Sequence, residues 1–551
     1  MKLDGISLGI IHSRMTSVAD EAAAVLVRTV YSHIIRDAKD FAIGLLDADG
    51  RTICQSTESI PVFLGTMSRT AKRLISDCAP IGPGDIVLTN DPWIGSGHLP
   101  DINMLMPVFI NDKLLGYVVV IAHMADIGGH ILGTESNDAF EEGLRIPPMW
   151  LRRAGETDET LLTLVRANVR LPDQVVGDIN AMVNAGQVAC KRLVDLAHDV
   201  GIDELGTICD ELEARGEAAM QAAIGKLQKG SFESRQLVER ETDDLLLVAH
   251  VDVDPETQMI TVDYEGTSAQ VSTGHNATYA YTRAYTAYAL KCLFAPSLPF
   301  TEGIFRRLQV KVPEGSILNC RPPSAVGGRH LVGQLAATLV VEAMSGSTPK
   351  LAIAECGSPR PFITVAGHRQ SGTPFSIPLL VMGGFGGRAD SDGPSALPFP
   401  TNTHAVPVEM LEATAPLFVE EKQLIADSGG AGEFRGGLGQ KMTVRSLVDG
   451  LIVSVMAMRS RHPAQGLFGG LPGARTRIVV GSRDGKGEQI FGSVRLVTGE
   501  RLHIESPGGG GYGDPLHRTH EKVSDDVANG YVSEATAASA YAVGARESDP
   551  Q

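Results

Sequence analysis

The sequence lacks the features that mark membrane, secreted and nucleic-acid-binding proteins. Its 48 Lys and Arg residues stand against 65 Asp and Glu residues, a formal net charge of −17, which excludes the basic surface that nucleic acids and acidic membranes require. No apolar run approaches the roughly 18 residues that span a bilayer. The N-terminus carries Asp4, Asp20 and Glu21 among its apolar residues, unlike a signal peptide. We therefore expect a cytoplasmic protein that binds neither nucleic acid nor membrane.

Cysteine is also scarce, and several common motifs are missing. The seven cysteines are odd in number, scattered and without a CxxC pair, which argues against a disulfide framework and fits a reducing compartment. The glycine clusters at 383–387 and 429–437 lack the spacing of a Walker loop or of the dinucleotide fingerprint. No GxSxG nucleophile elbow is evident. The chain therefore offers no nucleotide site or serine nucleophile of its own.

Length and patterning predict a mixed α/β protein. The 551 residues suffice for two to four compact units of roughly 100–200 residues. Residues 7–32 have the apolar spacing of an amphipathic helix, and residues 158–228 read as helical throughout. The 61 glycines concentrate after residue 325. We predict a helix-rich N-terminal region at 1–229 and a β-rich, glycine-rich region at 230–551, with one continuous domain as the alternative.

The stretch between residues 90 and 130 carries the most chemical information. Within it stand three histidines and several aspartates: His98, His123, His130, Asp91, Asp101 and Asp126. Residues 114–122, LLGYVVVIA, read as a buried central strand, and residues 104–110 can pair with it as a hairpin through Asn111-Asp112. His123 stands where this strand ends.

Imidazole and carboxylate groups that converge from a loop and a strand end are typical of a site for Zn, Mn or Fe. Asp40 stands at the mouth of another strand and can face the same site, although a salt bridge to Arg36 explains it equally well on local grounds. Taken singly, a strand-end histidine is more often part of the hydrogen-bonded structure, and loop aspartates often form turns. The cluster favours a metal site, because titratable side chains beside a buried strand have a desolvation cost to offset.

Several longer motifs, taken in order, resemble those of one protein family. They are RDAKDFAIGLLDADGRTICQS, NDPWIGSGHLPDINMLMPVF, AHMADIGGH, EEGLRIPP, VPEGSILNCRPPSAVGGRH and PGGGGYGDP. Their order across essentially the whole chain resembles the B-type subunits of the hydantoinase/oxoprolinase family. That family includes the β subunits of ATP-dependent N-methylhydantoinase and caprolactamase, the corresponding half of 5-oxoprolinase, and subunits of acetone and acetophenone carboxylases.

The resemblance implies one divalent metal in the N-terminal half, with zinc as the first choice and manganese or iron as alternatives. By motif, its ligands fall on Asp40, His98, Asp101 and His123, which leaves Asp126 and His130 as candidates for catalytic proton transfer. The resemblance also implies an A-type partner with an actin-like ATPase fold, which uses ATP and Mg, in a heterotetramer or larger hetero-oligomer. The partner would phosphorylate the substrate, and this chain would complete the opening of a cyclic amide at its metal.

Three other functions remain open on the sequence. The first is a subunit of an ATP-dependent ketone carboxylase, which would require bicarbonate. The second is a non-catalytic assembly subunit whose metal is structural. The third is a stand-alone iron oxygenase, although its usual facial triad has His and Asp two residues apart, whereas His98 and Asp101 are three apart. The motifs do not specify the substrate.

Overall fold

A computed structural model of the protein describes residues 4–241, 243–481 and 485–542. The helices within these ranges are α1 (Gly5–Thr29), α2 (His33–Arg36), α3 (Pro61–Cys78), α4 (Glu159–Asn168), α5 (Pro172–Val200), α6 (Gly206–Ile224), α7 (Tyr279–Phe294), α8 (Glu302–Phe305), α9 (Arg329–Met344), α10 (Val408–Thr414), α11 (His520–Ala528) and α12 (Glu534–Ala540). The strands are β1 (Phe41–Asp47), β2 (Thr52–Gln55), β3 (Ile86–Thr89), β4 (Asp101–Ile110), β5 (Lys113–His123), β6 (Met149–Arg153), β7 (Glu156–Thr157), β8 (Gly230–Glu239), β9 (Asp244–Asp254), β10 (Met259–Asp263), β11 (Leu308–Lys311), β12 (Phe362–His368), β13 (Pro374–Leu380), β14 (Leu417–Leu424), β15 (Gln440–Ser446), β16 (Leu451–Met456), β17 (Arg477–Gly481), β18 (Gly492–Leu496) and β19 (Arg501–Glu505). The predicted mixed α/β class is confirmed.

The N-terminal half is built on one seven-stranded sheet, ordered β2-β1-β5-β4-β3-β6-β7. The predicted hairpin is present as β4 and β5, and its turn residues Asn111 and Asp112 have φ angles of 48° and 62°, as a type I′ turn requires. Neighbouring side chains of a strand point to opposite faces. On one face Gly44 approaches Met67 of α3, and on the other Val120 approaches Gly186 of α5. Because helices cover both faces, β5 is buried along most of its length.

The strand register of this sheet brings three residues of the predicted site to one edge. In the β1–β5 pair Phe41 lies opposite Ala122, and the backbone N–H of His123 donates to the Asp40 carbonyl at 3.1 Å. In the β4–β5 pair Asp101 lies directly opposite His123. Asp40, directly before β1, therefore lies beside His123 at the end of β5, which in turn lies opposite Asp101 at the start of β4.

The C-terminal half contains three four-stranded sheets, ordered β11-β10-β9-β8, β13-β12-β16-β18 and β14-β15-β19-β17. Helix α9 packs against α7, β8 and β9 and is buried around almost its whole circumference. Helix α7 also packs against α3 of the N-terminal half, and one apolar core runs through both halves. The change from α6 to β8 falls near residue 229, and a domain boundary there stays a prediction.

The glycine clusters of the C-terminal half pack backbone against backbone. A Cβ atom on Gly384 would lie 1.8 Å from the Gly437 carbonyl oxygen, and one on Gly509 would lie 2.1 Å from that of Phe385. The amide of Gly437 donates to Phe385 at 2.7 Å, and that of Gly509 donates to Gly437 at 3.0 Å. Close packing of extended segments thus explains these glycines without a phosphate-binding loop.

The structure also bears on three further features of the sequence. The letters GxSxG occur at residues 5–9, but Ser7 lies in the first turn of α1, whereas a nucleophile elbow needs a strand-to-helix turn. All seven cysteines are free thiols. None of the helices in the described ranges is both long enough and apolar enough to cross a membrane.

Candidate metal centre

Three side chains at the edge of the N-terminal sheet converge on one point. His98 lies in the loop before β4, Asp101 begins β4, and His123 ends β5. Asp101 Oδ1 lies 2.8 Å from His98 Nε2 and 3.1 Å from His123 Nδ1. The two imidazole centroids are 5.0 Å apart, and all three side chains are buried. One carboxylate oxygen therefore faces both rings in a site that excludes bulk water.

The loop that carries His98 is held in place by polar contacts. The Asn90 amide donates to the carbonyls of Leu99 and Leu144 at 2.8 and 2.9 Å and accepts from the Ile146 amide at 2.6 Å. Gly97 adopts a φ of 104°, which favours glycine. Its missing side chain also leaves room for Arg329, whose Cδ would lie 2.9 Å from a Cβ at this position.

Arg329, at the start of α9, fixes the second oxygen of Asp101. Its Nη2 donates to Asp101 Oδ2 at 2.6 Å, and the Ser96 hydroxyl donates to the same oxygen at 2.6 Å. Burial acts to raise the pKa of Asp101, but His98 and Arg329 outweigh it and hold that pKa well below its usual value. Burial, reinforced by Arg329, lowers the pKa of His98 to about 3. Asp101 is thus ionised and His98 neutral, the states that bind metals.

Asp40 lies beside this group rather than within it. The three residues with potential ligand atoms within 4.8 Å of one another are His98, Asp101 and His123. Asp40 lines the same cavity as the two histidines, and burial raises its pKa, an effect that His123 opposes. Arg36 pairs with Asp37 at 3.3 Å, so the alternative of an Asp40–Arg36 salt bridge is not what the structure shows.

The residues present fit a divalent metal. Two imidazoles and one carboxylate are a common ligand set for zinc, manganese or iron. The group is buried, and His98 Nδ1 has no hydrogen-bond partner, which leaves this ring free to adjust. His98, Asp101 and His123 would hold the ion, with Asp40 as the fourth candidate.

A cavity, called the inner cavity here, lies next to this group. Asp40, His98 and His123 line it from the N-terminal half, and Tyr281, Tyr285, Arg329, His330, Gln334 and Arg360 line it from the C-terminal half. The guanidinium of Arg329 lies 4.4 Å above the Tyr281 ring, a favourable cation–π contact. Both halves of the chain therefore line the cavity beside the three potential ligands.

Asp126 and His130 line a second cavity, called the outer cavity here, which His123 also lines. The two cavities share His123, Leu132 and Phe362. Arg170 donates from Nη1 to Asp126 Oδ1 at 2.5 Å and from its backbone amide to Asp126 Oδ2. His130 is exposed, and its Nδ1 lies 3.2 Å from the Ser136 hydroxyl. The structure thus brings both residues towards the site without contact to the three potential ligands.

Sequence reasoning missed several polar residues of the site. Glu142 also lines the outer cavity, and its Oε1 accepts from the amides of Val326 and Gly327 at 2.7 and 2.6 Å. Burial nevertheless raises the pKa of Glu142 to about 7. Arg329 and His330 belong to a helix start that follows a glycine pair, whereas Arg360 stands between two prolines with no local signal.

Comparison with known proteins places the whole chain in one group of enzymes. A model of the family described as hydantoinase B/oxoprolinase matches residues 4–515. The putative D-/L-hydantoinase B subunit of Pseudomonas sp. (strain NS671) is 28% identical over 100% of this chain and 96% of its own length. The caprolactamase β subunit of Pseudomonas jessenii is 28% identical over 96% of this chain and 94% of its own length.

Solved structures agree with this result. The crystal structure of ATP-dependent caprolactamase from Pseudomonas jessenii superposes with a TM-score of 0.91 at 25% identity, over 98% of this chain and 97% of that chain. A nucleotide-free acetone carboxylase structure gives a TM-score of 0.84 at 18% identity, over 97% of this chain and 79% of that chain. The likeness to acetone carboxylase establishes a shared fold.

Proposed function

Because this chain belongs to the hydantoinase B/oxoprolinase family, we propose that it is the metal-binding subunit of an ATP-dependent amidohydrolase. Its substrate would be a cyclic amide such as a hydantoin, 5-oxoproline or a lactam. The observation that carries this proposal is the buried His98–Asp101–His123 group beside a cavity that both halves of the chain line. Zinc is the proposed ion, because neutral imidazoles and one carboxylate suit it.

A partner subunit is part of the proposal. Two relatives that match this chain over nearly their full length are named as the B or β component of their enzymes. In 5-oxoprolinase PfmaA of Pestalotiopsis fici, by contrast, the match covers only 42% of that protein, so a further part of that chain lies outside the matched region. We propose that an A-type subunit with an actin-like ATPase fold supplies the corresponding part here, in a cytoplasmic heterotetramer.

The chemistry divides between the two subunits. In the partner, ATP transfers its terminal phosphoryl group to the amide oxygen, which makes the ring carbon electrophilic. One water then adds to that carbon, the C–N bond breaks and the ring nitrogen takes up a proton, and a second water releases phosphate from the open acid. A divalent ion in the site would supply Lewis-acid chemistry for these additions.

The residues of this chain keep the site ready for that chemistry. Arg329 and Ser96 keep the Asp101 carboxylate ionised and oriented, and burial keeps His98 neutral. We assign proton transfer to the ring nitrogen first to His130, because it faces the outer cavity. Asp126 ranks second, because both of its carboxylate oxygens already accept hydrogen bonds from Arg170.

The test is a turnover assay of this chain co-purified with its A-type partner. Hydantoin, 5-oxoproline and caprolactam would be supplied with ATP, and acetophenone with ATP and bicarbonate. We expect ATP-dependent ring opening of at least one cyclic amide and no carboxylation of the ketone. Carboxylation of acetophenone would assign the protein to the ketone carboxylases, and turnover without partner or ATP would overturn the proposal.

A structural metal is distinguished by the variant His123→Ala. A metal that takes part in the reaction predicts loss of bound zinc, measured by elemental analysis, and loss of turnover by at least 100-fold with the circular dichroism spectrum retained. A purely structural metal predicts an unfolded or aggregated protein instead. Arg321→Gln is the matched control, because Arg321 is exposed and pairs only with a surface carboxylate, Glu314.

A further inference from the structure

The wall of the inner cavity that comes from the C-terminal half carries a buried cation with unused hydrogen-bond donors. Arg360 is 7% exposed, and its Nη2 donates to the Thr403 hydroxyl at 3.1 Å. Its Nε and Nη1 have no hydrogen-bond partner. Among the described residues no carboxylate lies within 4.0 Å of this guanidinium. A buried guanidinium in this condition has lost its hydration without gaining a direct ion pair in exchange.

Two more unpartnered polar groups face the same cavity from the first turns of α9. His330 and Gln334 are 8% and 5% exposed, and His330 Nε2 and Gln334 Oε1 lack hydrogen-bond partners. The side chains of His330 and Arg360 both lie against the Phe362 ring, at 5.7 and 5.4 Å. Buried polar atoms are nearly always paired in folded proteins. Three such residues on one cavity wall therefore indicate a site for a polar ligand.

The charges around the cavity indicate the sign of that ligand. Two carboxylates, Asp40 and Asp101, are matched by two guanidinium groups, Arg329 and Arg360. Once a divalent ion is bound, the site carries a surplus of two positive charges. A buried surplus of this size is offset by an anion of the same magnitude, and a phosphate monoester near neutral pH is close to a dianion. A single carboxylate would offset only half of it.

We propose that Arg360, His330 and Gln334 form an anion subsite that binds the phosphoryl group of the activated substrate. This inference rests on the proposed function, in which a phosphorylated amide reaches the metal. Arg360 would donate from its free nitrogens to phosphoryl oxygens, as arginine commonly does. Gln334 can present either its oxygen or its nitrogen after rotation of the amide, so it can pair with the substrate as well. The subsite would hold the phosphoryl group against the wall of the cavity that the C-terminal half supplies.

The test measures binding of inorganic phosphate by calorimetry to the zinc-loaded complex of this chain with its partner. The ATP site of the partner is filled with a non-hydrolysable ATP analogue, so that it does not take up the probe. We expect Arg360→Gln to weaken phosphate binding at least tenfold, Arg360→Lys to weaken it less, and Arg321→Gln to leave it unchanged. Equal phosphate binding by the parent and Arg360→Gln would overturn the proposal.

Acetate in place of phosphate distinguishes the two sources of an anionic group. Phosphate should bind at least tenfold more tightly than acetate. Acetate that binds as tightly, and with the same dependence on Arg360, would assign the subsite to a carboxylate of the substrate and overturn the phosphoryl assignment. Zinc content and the thermal midpoint are measured for each variant. Arg360→Gln should retain both, because Arg360 has no ion pair to lose, and a large fall in the midpoint would indicate a structural role.

The failure of this inference and the failure of the proposed function give different results. If no cyclic amide is opened but phosphate binding still depends on Arg360, the subsite stands and the substrate assignment falls. If ring opening occurs and Arg360→Gln changes neither KM nor kcat, the amidohydrolase stands and the subsite falls. Both assays use the same purified complex.

Discussion

Asp101 is the residue on which the candidate metal centre depends. Its Oδ1 faces the imidazoles of His98 and His123, and its Oδ2 accepts from Arg329. Asp40 differs, because no salt-bridge partner lies within 4.0 Å of it among the described residues. The two carboxylates therefore contribute differently to the metal-free fold, although both are candidate ligands.

Asp101→Asn and Asp40→Asn should separate these contributions. Both substitutions should lower bound zinc, measured by elemental analysis. In the metal-free chain, Asp101→Asn should lower the free energy of unfolding by about 3–5 kcal/mol, because it leaves the buried Arg329 unpaired. Asp40→Asn should change the thermal midpoint little. Asp40 has no salt bridge to lose among the described residues, and an uncharged amide costs less to bury than a carboxylate. Equal midpoints for the two variants would contradict this assignment.

Glu142 provides a prediction for pH dependence. Burial raises its pKa to about 7 in the folded chain, whereas an exposed glutamate ionises near pH 4.3. Between about pH 4.5 and 7 the unfolded chain loses the proton that the folded chain keeps, so the folded state loses stability as the pH rises. Glu142→Gln removes this titration and keeps an acceptor for the Val326 and Gly327 amides. Its thermal midpoint relative to the parent should therefore rise across this window, and the free energy of unfolding behind that rise is on the order of 3 kcal/mol.

Glu141→Gln is the matched control. The Glu141 carboxylate accepts from the Asn137 amide at 2.8 Å, and this hydrogen bond lowers its pKa. A carboxyl group with a lowered pKa adds stability above its unfolded pKa. The control should therefore lose stability relative to the parent as the pH rises towards the unfolded pKa near 4.3 and then stay constant, whereas Glu142→Gln gains relative stability above that pH. The same sign for both would contradict the assigned pKa of Glu142.

At the scale of elements, two features position the site. The β4–β5 hairpin sets Asp101 opposite His123, and helix α9 delivers Arg329, His330 and Gln334 from its first turns. The loop before α9 is held by Glu142, whose carboxylate accepts from two of its amides. Glu142, which lines the outer cavity, therefore connects that cavity to the segment directly before α9.

The extended glycine segments are the second element-scale device, and they predict a contrast between two substitutions. Gly384→Ala would place a Cβ atom 1.8 Å from the Gly437 carbonyl oxygen, so it should destabilise the chain by at least about 3 kcal/mol. Gly9→Ala lies on α1 with nothing within 4 Å of its Cβ and should stabilise it by about 0.5–1 kcal/mol. Thermal unfolding checks both, and a tolerated Gly384→Ala would contradict the backbone packing.

At the scale of the whole molecule, a buried ion pair joins distant segments of the C-terminal half. Glu355 accepts from Arg459 at 2.9 Å and from Gln236 of β8 at 2.6 Å, and its carbonyl accepts from the Gly510 amide at 2.8 Å. Arg459 also donates to the Ser358 carbonyl at 2.9 Å. This network connects β8 to the glycine segments and to the chain that leads to Arg360.

Arg459→Met should therefore destabilise the protein strongly. Removing one member of a buried ion pair leaves the other charge unpaired and costs about 3–5 kcal/mol. Arg192→Met is the control, because Arg192 pairs with Glu21 at 2.7 Å with both side chains about half exposed, and such pairs contribute about 1 kcal/mol or less. Chemical unfolding of both variants gives the comparison, and equal losses would contradict the assigned role of the Glu355–Arg459 pair.

Local chemistry was enough to predict that His98, Asp101 and His123 lie together. The Asn111-Asp112 turn and the apolar runs on either side of it define the hairpin register, and that register places Asp101 beside His123. The mixed α/β class and the long helix that begins at Pro172 follow from equally short-range patterns. The residue pattern also picked out Asp40, Asp126 and His130, and the motif resemblance added their roles and the partner, which stay predictions.

The tertiary structure alone decided what faces that centre. Arg329 and Arg360 lie more than two hundred residues from Asp101 in the sequence. Arg329 reaches the cavity because α9 packs against α7 and α7 against α3, whereas Arg360 reaches it from the segment directly before β12. Periodicity and turn signals extend over a few residues, so they carry no information about which distant element a helix will cover. The hairpin was therefore readable from the sequence, whereas the cationic wall opposite it depends on long-range packing.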